Sequence, residues 1–178
     1  MTVETRTPRP EFPDELTQRI VDFLNTVGLE VHAEKTVEPT FMLGIQIQNG
    51  GLIVDESSLK YPGDLLHEAG HLAVVRPEKR RRMGADAGTE SHEEMAAIAW
   101  SWAALTHLRL APNVVFHSYG YKGESQSLID ALSSNCGPGI PILAWLGMSS
   151  DPNAGADAIH DNLAEFPTMT TWLCQTND

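Results

Sequence analysis

The segment His67-Glu68-Ala69-Gly70-His71 constrains this chain of 178 residues more than any other part of its sequence. Two histidines four positions apart lie on the same face of an α-helix, so both imidazoles can reach one metal ion. The glutamate beside the first histidine is rotated by about 100° and can contact a water on that ion. Because leucines and alanines surround the motif at helical spacing, we expect a helix from Leu65 to about Val75 that carries a metal site.

A catalytic centre of this kind needs a third protein ligand and keeps one position for water. The extended motif with a third histidine is excluded, because Val74 replaces its glycine and Pro77 replaces its histidine. Glu93 and Glu94 open the next apolar segment and are the alternatives. Both could be exposed first-turn acids favoured by the helix dipole. An ionised glutamate on an apolar helix is costly to bury unless it is paired or bound to a cation, so we expect one of them to be a ligand.

The apolar patterns predict an α+β fold in which several helices pack with a small antiparallel sheet or hairpin. Helical spacing predicts helices over 16–27, 91–110 and 125–134, and a further helix within 154–173. Alternation from Phe41 to Val54 around Asn49-Gly50 predicts a hairpin with a type I′ turn. We expect Asp64 and Ser91 as N-caps, a short strand at 114–116, and a solvated basic loop around 79–82.

Composition bounds the number of domains and the class of partner. A chain of 178 residues, 42% of them hydrophobic, predicts a single domain over 13–178 after a disordered tail at 1–12. Its 24 acidic and 12 basic residues give a net charge of −12, which argues against nucleic-acid binding. The tail lacks the apolar core of a secretory signal, and no apolar stretch reaches the roughly 20 residues of a membrane span. We therefore expect a cytoplasmic protein with no membrane partner.

The order of these features resembles the ImmA/IrrE-type zincin-like metallopeptidases. In that family a His-Glu-x-x-His helix is followed by a helix with a Glu-Ala-Asn-x-x-Ala-like pattern. The similarity covers 44–105, about a third of the chain, and aligns Glu94 with the family's glutamate ligand. Met95 and Ala96 stand where the family has Ala-Asn, and Glu93 stays an alternative ligand.

The resemblance implies a zincin-like fold, a bound Zn²⁺ and hydrolysis of a bond in a peptide or protein substrate. His67, His71 and Glu94 would hold the zinc. Glu68 would accept the proton of the activated water and pass it to the leaving amine. In many zincins an extended substrate adds to an exposed strand beside the metal, a position that the 41–54 hairpin would fill.

Several further residues are candidates for supporting roles. His117 is expected to be catalytic by stabilising the developing oxyanion, and Tyr119 and Tyr121 are further candidates for that role. A metal-bound imidazole donates its outer N–H to an acceptor, and Asp55 and Asp86 are the alternatives considered.

Two other interpretations remain open at the level of sequence. The protein could be a non-catalytic metal-binding module that regulates or binds a partner protein. The motif could also be a coincidence in a core that holds no metal. Glu68 discriminates the first of these from an enzyme, because a structural zinc site does not need a general base.

Overall fold

The first helix begins and ends at capping residues that the sequence predicts. The computed structural model describes residues 10–36, 42–84, 90–155 and 162–175. Helix α1 spans Glu15–Val27, and the Asp14 carboxylate accepts hydrogen bonds from the backbone N–H and the hydroxyl of Thr17, both at 2.7 Å. Gly28 ends the helix with a φ of 97°. The prediction of this helix is confirmed.

Three short strands form a mixed sheet in the order β1-β3-β2. They are β1 (Val31–Ala33), β2 (Ile45–Gln48) and β3 (Gly51–Val54). The antiparallel pair β2 and β3 confirms the predicted hairpin, and Asn49 and Gly50 join its strands with φ values of 51° and 80°. The expectation of an antiparallel sheet alone is wrong, because β1 runs parallel to β3. With three residues, of which two are exposed, β1 carries too little alternation to be predicted.

Helices dominate the described chain after the sheet. They are α2 (Asp64–Ala73), α3 (Pro77–Arg80), α4 (Ser91–His107), α5 (Ser125–Ser133) and α6 (Ile140–Trp145). Two 3₁₀ segments lie at Pro112–Val114 and Tyr121–Gly123. The predictions of α2, α4 and α5 are confirmed, and with the sheet they make the fold α+β.

Two N-cap predictions are wrong by one residue. Ser91 is the first residue of α4, and Glu90 takes the cap position without a side-chain hydrogen bond, so no capping box forms. Asp64 likewise lies inside α2, after Gly63. Both side chains therefore stay available for other contacts.

Two later predictions also differ from the structure. The expected strand at 114–116 does not form. The chain forms a 3₁₀ turn at Pro112–Val114 instead, because Pro112 fixes a helical φ at its start. No helix is described in 154–155 or 162–173, and 156–161 lie outside the described residues.

The packing of α2 against α4 organises the core. Helix α2 is buried on nearly all sides, and α4 is buried along most of its length, as its all-round apolar sequence predicts. The two backbones meet at Gly70, where an added Cβ would lie 2.8 Å from the carbonyl oxygen of Ala97. The helices are therefore closer at this point than a side chain at position 70 would allow.

The basic run at 79–82 is only in part the expected solvated loop: Lys79, Arg81 and Arg82 are exposed, but Lys79 and Arg80 belong to α3. Arg80 ends α3, and its guanidinium donates hydrogen bonds to the carbonyl oxygens of Leu72, Ala73, Val75 and Cys174 at 2.7 to 3.3 Å. The first three carbonyls lie at the C-terminal end of α2, where backbone acceptors lack helical partners. Arg80 thus satisfies that helix end and ties the segment around Cys174 to it.

Some expectations fall outside the described residues. These are the tail at 1–9, Phe41 of the hairpin, and Asp86. Phe12, the last residue assigned to the tail, is buried, and its N–H donates to Gln18 Oε1 at 2.7 Å. None of the described helices is long and apolar enough to cross a membrane. The single domain over 13–178 stays a prediction.

Substituting Gly70→Ala is expected to destabilise the protein, although alanine favours a helix by about 1 kcal/mol. The new Cβ would overlap the Ala97 backbone, which cannot move without separating α2 from α4. Overpacking of this kind costs roughly 1–3 kcal/mol, so a net loss of stability is expected in urea unfolding of the metal-free protein. Gly84→Ala is the control, because a Cβ there meets no described atom within 4 Å. Equal stability of Gly70→Ala and wild type would contradict the close approach.

Candidate metal centre

His67 and His71 lie one turn apart on α2 with their rings close together. Their Nε2 atoms are 3.2 Å apart and both side chains are buried. Burial lowers the pKa of His67 to about 3, with a smaller contribution from His71, and lowers the pKa of His71 to about 4 despite the opposing effect of Glu93. Both imidazoles are therefore neutral near neutral pH, the form that binds metals.

Helix α4 brings Glu94 to this pair. Its carboxylate oxygens lie 3.6 Å from His67 Nε2 and 3.3 Å from His71 Nε2. Burial raises the pKa of the Glu94 carboxyl above its ordinary value, and the Lys122 ammonium offsets part of this rise. The carboxylate contacts both rings because α4 packs so closely on α2 at Ala97, one turn after Glu94.

The separations of these three side chains fit a tetrahedral ion. Zinc binds imidazole nitrogen at about 2.0–2.1 Å, so neighbouring ligands on a tetrahedron lie about 3.3 Å apart. The two Nε2 atoms are 3.2 Å apart, and each lies 3.3 to 3.6 Å from a different oxygen of Glu94, Oε1 for His67 and Oε2 for His71. Two neutral imidazoles and a carboxylate are a donor set that zinc accepts in catalytic sites, and other divalent metals accept it as well.

Glu93 faces a different partner. It forms an ion pair with Lys79 of α3, and the two line a separate pocket together with His92. Consecutive helical residues are about 100° apart, so one of the two glutamates faces the histidines and the other does not. The structure places Glu94 at the histidines and Glu93 at Lys79.

Glu68 is the second carboxylate beside the histidines. One of its oxygens and one ring nitrogen each of His67 and His71 lie within 4.8 Å of one another. Burial raises the pKa of Glu68 to about 7, and the neighbouring carboxylates of Asp64 and Glu94 add to this effect. A group with that pKa can both take up and release a proton near neutral pH.

The outer nitrogens of the two histidines have different surroundings. The Tyr121 hydroxyl lies 3.3 Å from His67 Nδ1, and the two rings meet edge to face. His71 Nδ1 is buried and has no hydrogen-bond partner among the described residues. Tyr121 therefore fixes the orientation of the His67 ring.

Asp55, one of the acceptors considered for this role, has other partners. It accepts backbone N–H hydrogen bonds from Ser57 and Thr36 in the turn that follows β3. Asp86, the other, lies outside the described residues. Sequence spacing gave no signal for Tyr121, because it lies 54 residues after His67 in a short 3₁₀ turn.

His117 contacts Asp64 rather than the histidines of the motif. Its Nε2 lies 3.0 Å from an Asp64 oxygen, and Tyr61 stacks on its ring with centroids 4.0 Å apart. Its Nδ1 is buried without a partner in the described part of the chain. His117 also lines the cavity beside the histidines, and its expected oxyanion role stays a prediction. Asp64, which lies inside α2 after the N-cap Gly63, is thus engaged by His117.

A cavity of about 420 Å³ opens beside these residues. His67 and Glu94 form part of its wall, and Tyr61, His117 and Tyr119 form another part. Sites for small molecules and peptide side chains have volumes of about 300–1,000 Å³. The cluster is thus reached from a cavity that can admit part of a peptide.

The chain matches no protein-family model, no curated protein and no solved structure. The resemblance to ImmA/IrrE-type metallopeptidases therefore rests on the motif and its spacing. The class that the fold and the cluster define is an α+β protein in which His67, Glu68 and His71 lie close enough to hold a metal ion.

Glu94→Gln is expected to weaken zinc binding by more than about 100-fold, because an anionic metal donor is removed. Loss of a residue that only hydrogen-bonds to a metal ligand weakens binding by up to about 100-fold, and loss of a ligand should cost more. Zinc competition against a chromogenic chelator measures the affinity, and metal analysis measures the stoichiometry. Glu93→Gln is the matched control, since its carboxylate is paired with Lys79 and acts on His71 only through its charge, so zinc binding should weaken far less than in Glu94→Gln. The reverse result, with zinc lost in Glu93→Gln alone, would exclude Glu94 as the ligand.

The metal-free protein is expected to lose the stabilising contribution of protonated Glu68 as the pH rises. The pKa of Glu68 in the folded protein, about 7, lies above its ordinary value of 4.5, so the contribution is complete below 4.5 and is lost as the pH passes about 7. His67 and His71 act in the opposite sense, because their lowered pKa values make stability fall as the pH drops below 6.5.

Glu68→Gln separates the two effects in urea unfolding of chelator-treated protein. From about pH 5 to about pH 8 the variant should gain roughly 1–3 kcal/mol of stability relative to wild type. His67 and His71 are common to both chains, so their contribution cancels in the comparison. A stability difference that does not change with pH would contradict the raised pKa of Glu68.

Proposed function

We propose that this protein is a zinc-dependent metallopeptidase that hydrolyses a bond in a peptide or protein substrate. One observation carries the proposal: the Nε2 atoms of His67 and His71 are 3.2 Å apart, each has a Glu94 carboxylate oxygen within 3.6 Å, and His67 and Glu94 line a cavity. His67, His71 and Glu94 would hold the ion. The motif resemblance to ImmA/IrrE-type zincin-like enzymes supports the same assignment.

Bound zinc would supply Lewis-acid chemistry, acidifying a water nucleophile and polarising the carbonyl under attack. Three protein ligands leave one tetrahedral position open for this purpose, as catalytic sites require and closed structural sites do not. The cavity reaches His67 and Glu94 and gives a substrate access to that position. An open donor set next to a cavity favours a catalytic over a purely structural metal.

Glu68 is proposed as the general base. It accepts the proton that the water loses as its oxygen bonds to the carbonyl carbon, and it passes this proton to the amine nitrogen as the C–N bond breaks. Burial and the charges of Asp64 and Glu94, which raise its pKa to about 7, let the carboxyl hold the proton between these two steps. Glu68 also lies within ligand distance of the two histidines, so direct metal binding is the alternative to this role.

Tyr121 and His117 are proposed as positioning residues. The Tyr121 hydroxyl holds His67 by its outer nitrogen, which keeps Nε2 directed at Glu94 and His71. His117 holds Asp64, whose charge contributes to the raised pKa of Glu68. The oxyanion role expected for His117 from the sequence stays the alternative to this positioning role.

An extended peptide is the proposed substrate form. Strand β2 is an outer strand of the sheet, and Met42 and Leu43, which precede it, line the cavity. A peptide added to this edge would continue into the cavity, with backbone hydrogen bonds supplying affinity. This geometry favours peptide hydrolysis over hydrolysis of a compact small molecule.

Glu68→Gln is expected to bind one zinc ion per chain as wild type does and to lose peptide cleavage by at least about 100-fold, since the amide cannot accept the proton. Cleavage of a fluorogenic peptide library by zinc-loaded protein, with metal analysis of the same samples, measures both properties. Glu93→Gln should cleave like wild type. Unchanged cleavage by Glu68→Gln would exclude this mechanism, whereas zinc binding without cleavage by wild type would favour the non-catalytic metal-binding module.

A further inference from the structure

We infer that the cavity selects peptides that present a carboxylate, an inference that rests on the proposed peptidase function. The chain has four lysines, and two of them, Lys60 and Lys122, line the cavity. Of the others, Lys79 is paired with Glu93 and Lys35 is exposed in the segment after β1. Two carboxylates, Asp64 and Glu94, line the same cavity. Asp64 contacts His117 and Glu94 is a proposed metal ligand, so the two ammonium groups are the lining charges left for a ligand once a metal is bound.

Lys60 keeps its charge available to a ligand. Its ammonium lies over the rings of Tyr61 and Tyr119, 5.2 and 5.5 Å from their centroids. Such contacts fix an ammonium in place without neutralising it. No carboxylate oxygen of the described residues lies within 4.0 Å of Lys60 or Lys122. Neither ammonium is therefore held in a direct ion pair among the described residues, although Lys122 lies close enough to Glu94 to lower its pKa.

Lys122 is presented by an unfavourable backbone conformation. Tyr121, Lys122 and Gly123 have consecutive positive φ values of 53°, 53° and 87°. A residue with a Cβ rarely adopts this conformation, and such strain concentrates at ligand-binding positions. The contact of Tyr121 with His67, and its stacking on Phe116 with centroids 5.1 Å apart, hold the turn in place. The turn thus fixes Lys122 on the same side as the proposed metal ligands.

The rest of the wall favours an apolar group next to that carboxylate. Leu43 is 58% exposed and Tyr119 is 82% exposed, and both line the cavity. They are two of the three large hydrophobic residues exposed among the described residues. Two kinds of peptide place a carboxylate next to an apolar group: one with an acidic side chain among apolar residues, and one with an apolar residue before its C-terminal carboxylate.

Peptide binding to the zinc-loaded Glu68→Gln chain tests the inference without turnover. The probes are fluorescein-labelled, C-amidated peptides of leucine and alanine with a central glutamate, glutamine or lysine, and the glutamine peptide with a free C-terminus. Anisotropy is read at about 0.15 M salt, where a Debye length of about 8 Å screens distant charges. A carboxylate-bearing peptide should bind about three- to tenfold more tightly than the amidated glutamine peptide. The glutamate peptide and the free C-terminus separate the two sources of the carboxylate.

Lys60→Met and Lys122→Met should each reduce this preference, and the double variant should abolish it. Lys122→Arg, which keeps the charge, should retain it and controls for folding of the strained turn. Lys35→Met is the matched control outside the cavity and should bind as the parent chain does. Equal binding of all the peptides, no binding of any, or an equal loss in Lys35→Met overturns the inference.

Cleavage by the wild-type chain separates this inference from the proposed function. Cleavage without a carboxylate preference contradicts the inference and leaves the peptidase proposal intact. A carboxylate preference that depends on Lys60 and Lys122, without cleavage under zinc-loaded conditions, supports the binding site and contradicts the peptidase.

Discussion

The contact between Gly70 of α2 and the Ala97 backbone of α4 is the interaction on which the site depends. It sets the distance between the two helices, and that distance decides whether the Glu94 carboxylate reaches His67 and His71. The residue that permits this approach is the glycine within the motif itself, at a position where helix propensity alone favours alanine. The packing of α2 on α4 therefore determines both the core and the geometry of the candidate metal centre. A change that separates the helices would move the Glu94 carboxylate, the third proposed donor, away from the two histidines.

The same packing places charged groups where water cannot fully solvate them. Asp64, Glu68 and Glu94 lie near one another, and Lys122 is the cation that acts on Glu94 among the described residues. Buried like charges are unfavourable, and a metal-free protein relieves them by protonating Glu68, whose pKa is raised to about 7. A divalent cation would relieve the same repulsion without a proton. The same repulsion that raises the pKa of Glu68 would therefore be a driving force for the proposed metal binding.

The parts of the site that follow helical periodicity could be predicted from the sequence, and those that depend on distant contacts could not. The motif helix and the glutamate pair on the next helix follow from local spacing. The choice between Glu93 and Glu94 depends on Lys79 of α3, a helix that sequence reasoning treated as a loop. The side chains of Tyr121 and Arg80 reach α2 from other segments of the chain, so helical or strand periodicity could not predict their contacts with it. The parallel strand β1 escaped prediction for a related reason, since three residues form no pattern.

The segment between α4 and α5 both lines the cavity and contacts the proposed metal ligands. His117 holds Asp64, Tyr121 holds His67, and Lys122 acts on Glu94, so one short segment contacts both ligand helices. Its strained turn persists because these contacts offset the unfavourable φ values. A carboxylate bound at Lys122 and a metal bound at His67 would both favour the same conformation of this turn. Since linkage is reciprocal, each would then strengthen binding of the other, and under the proposed function a peptide would bind preferentially to the metal-loaded state.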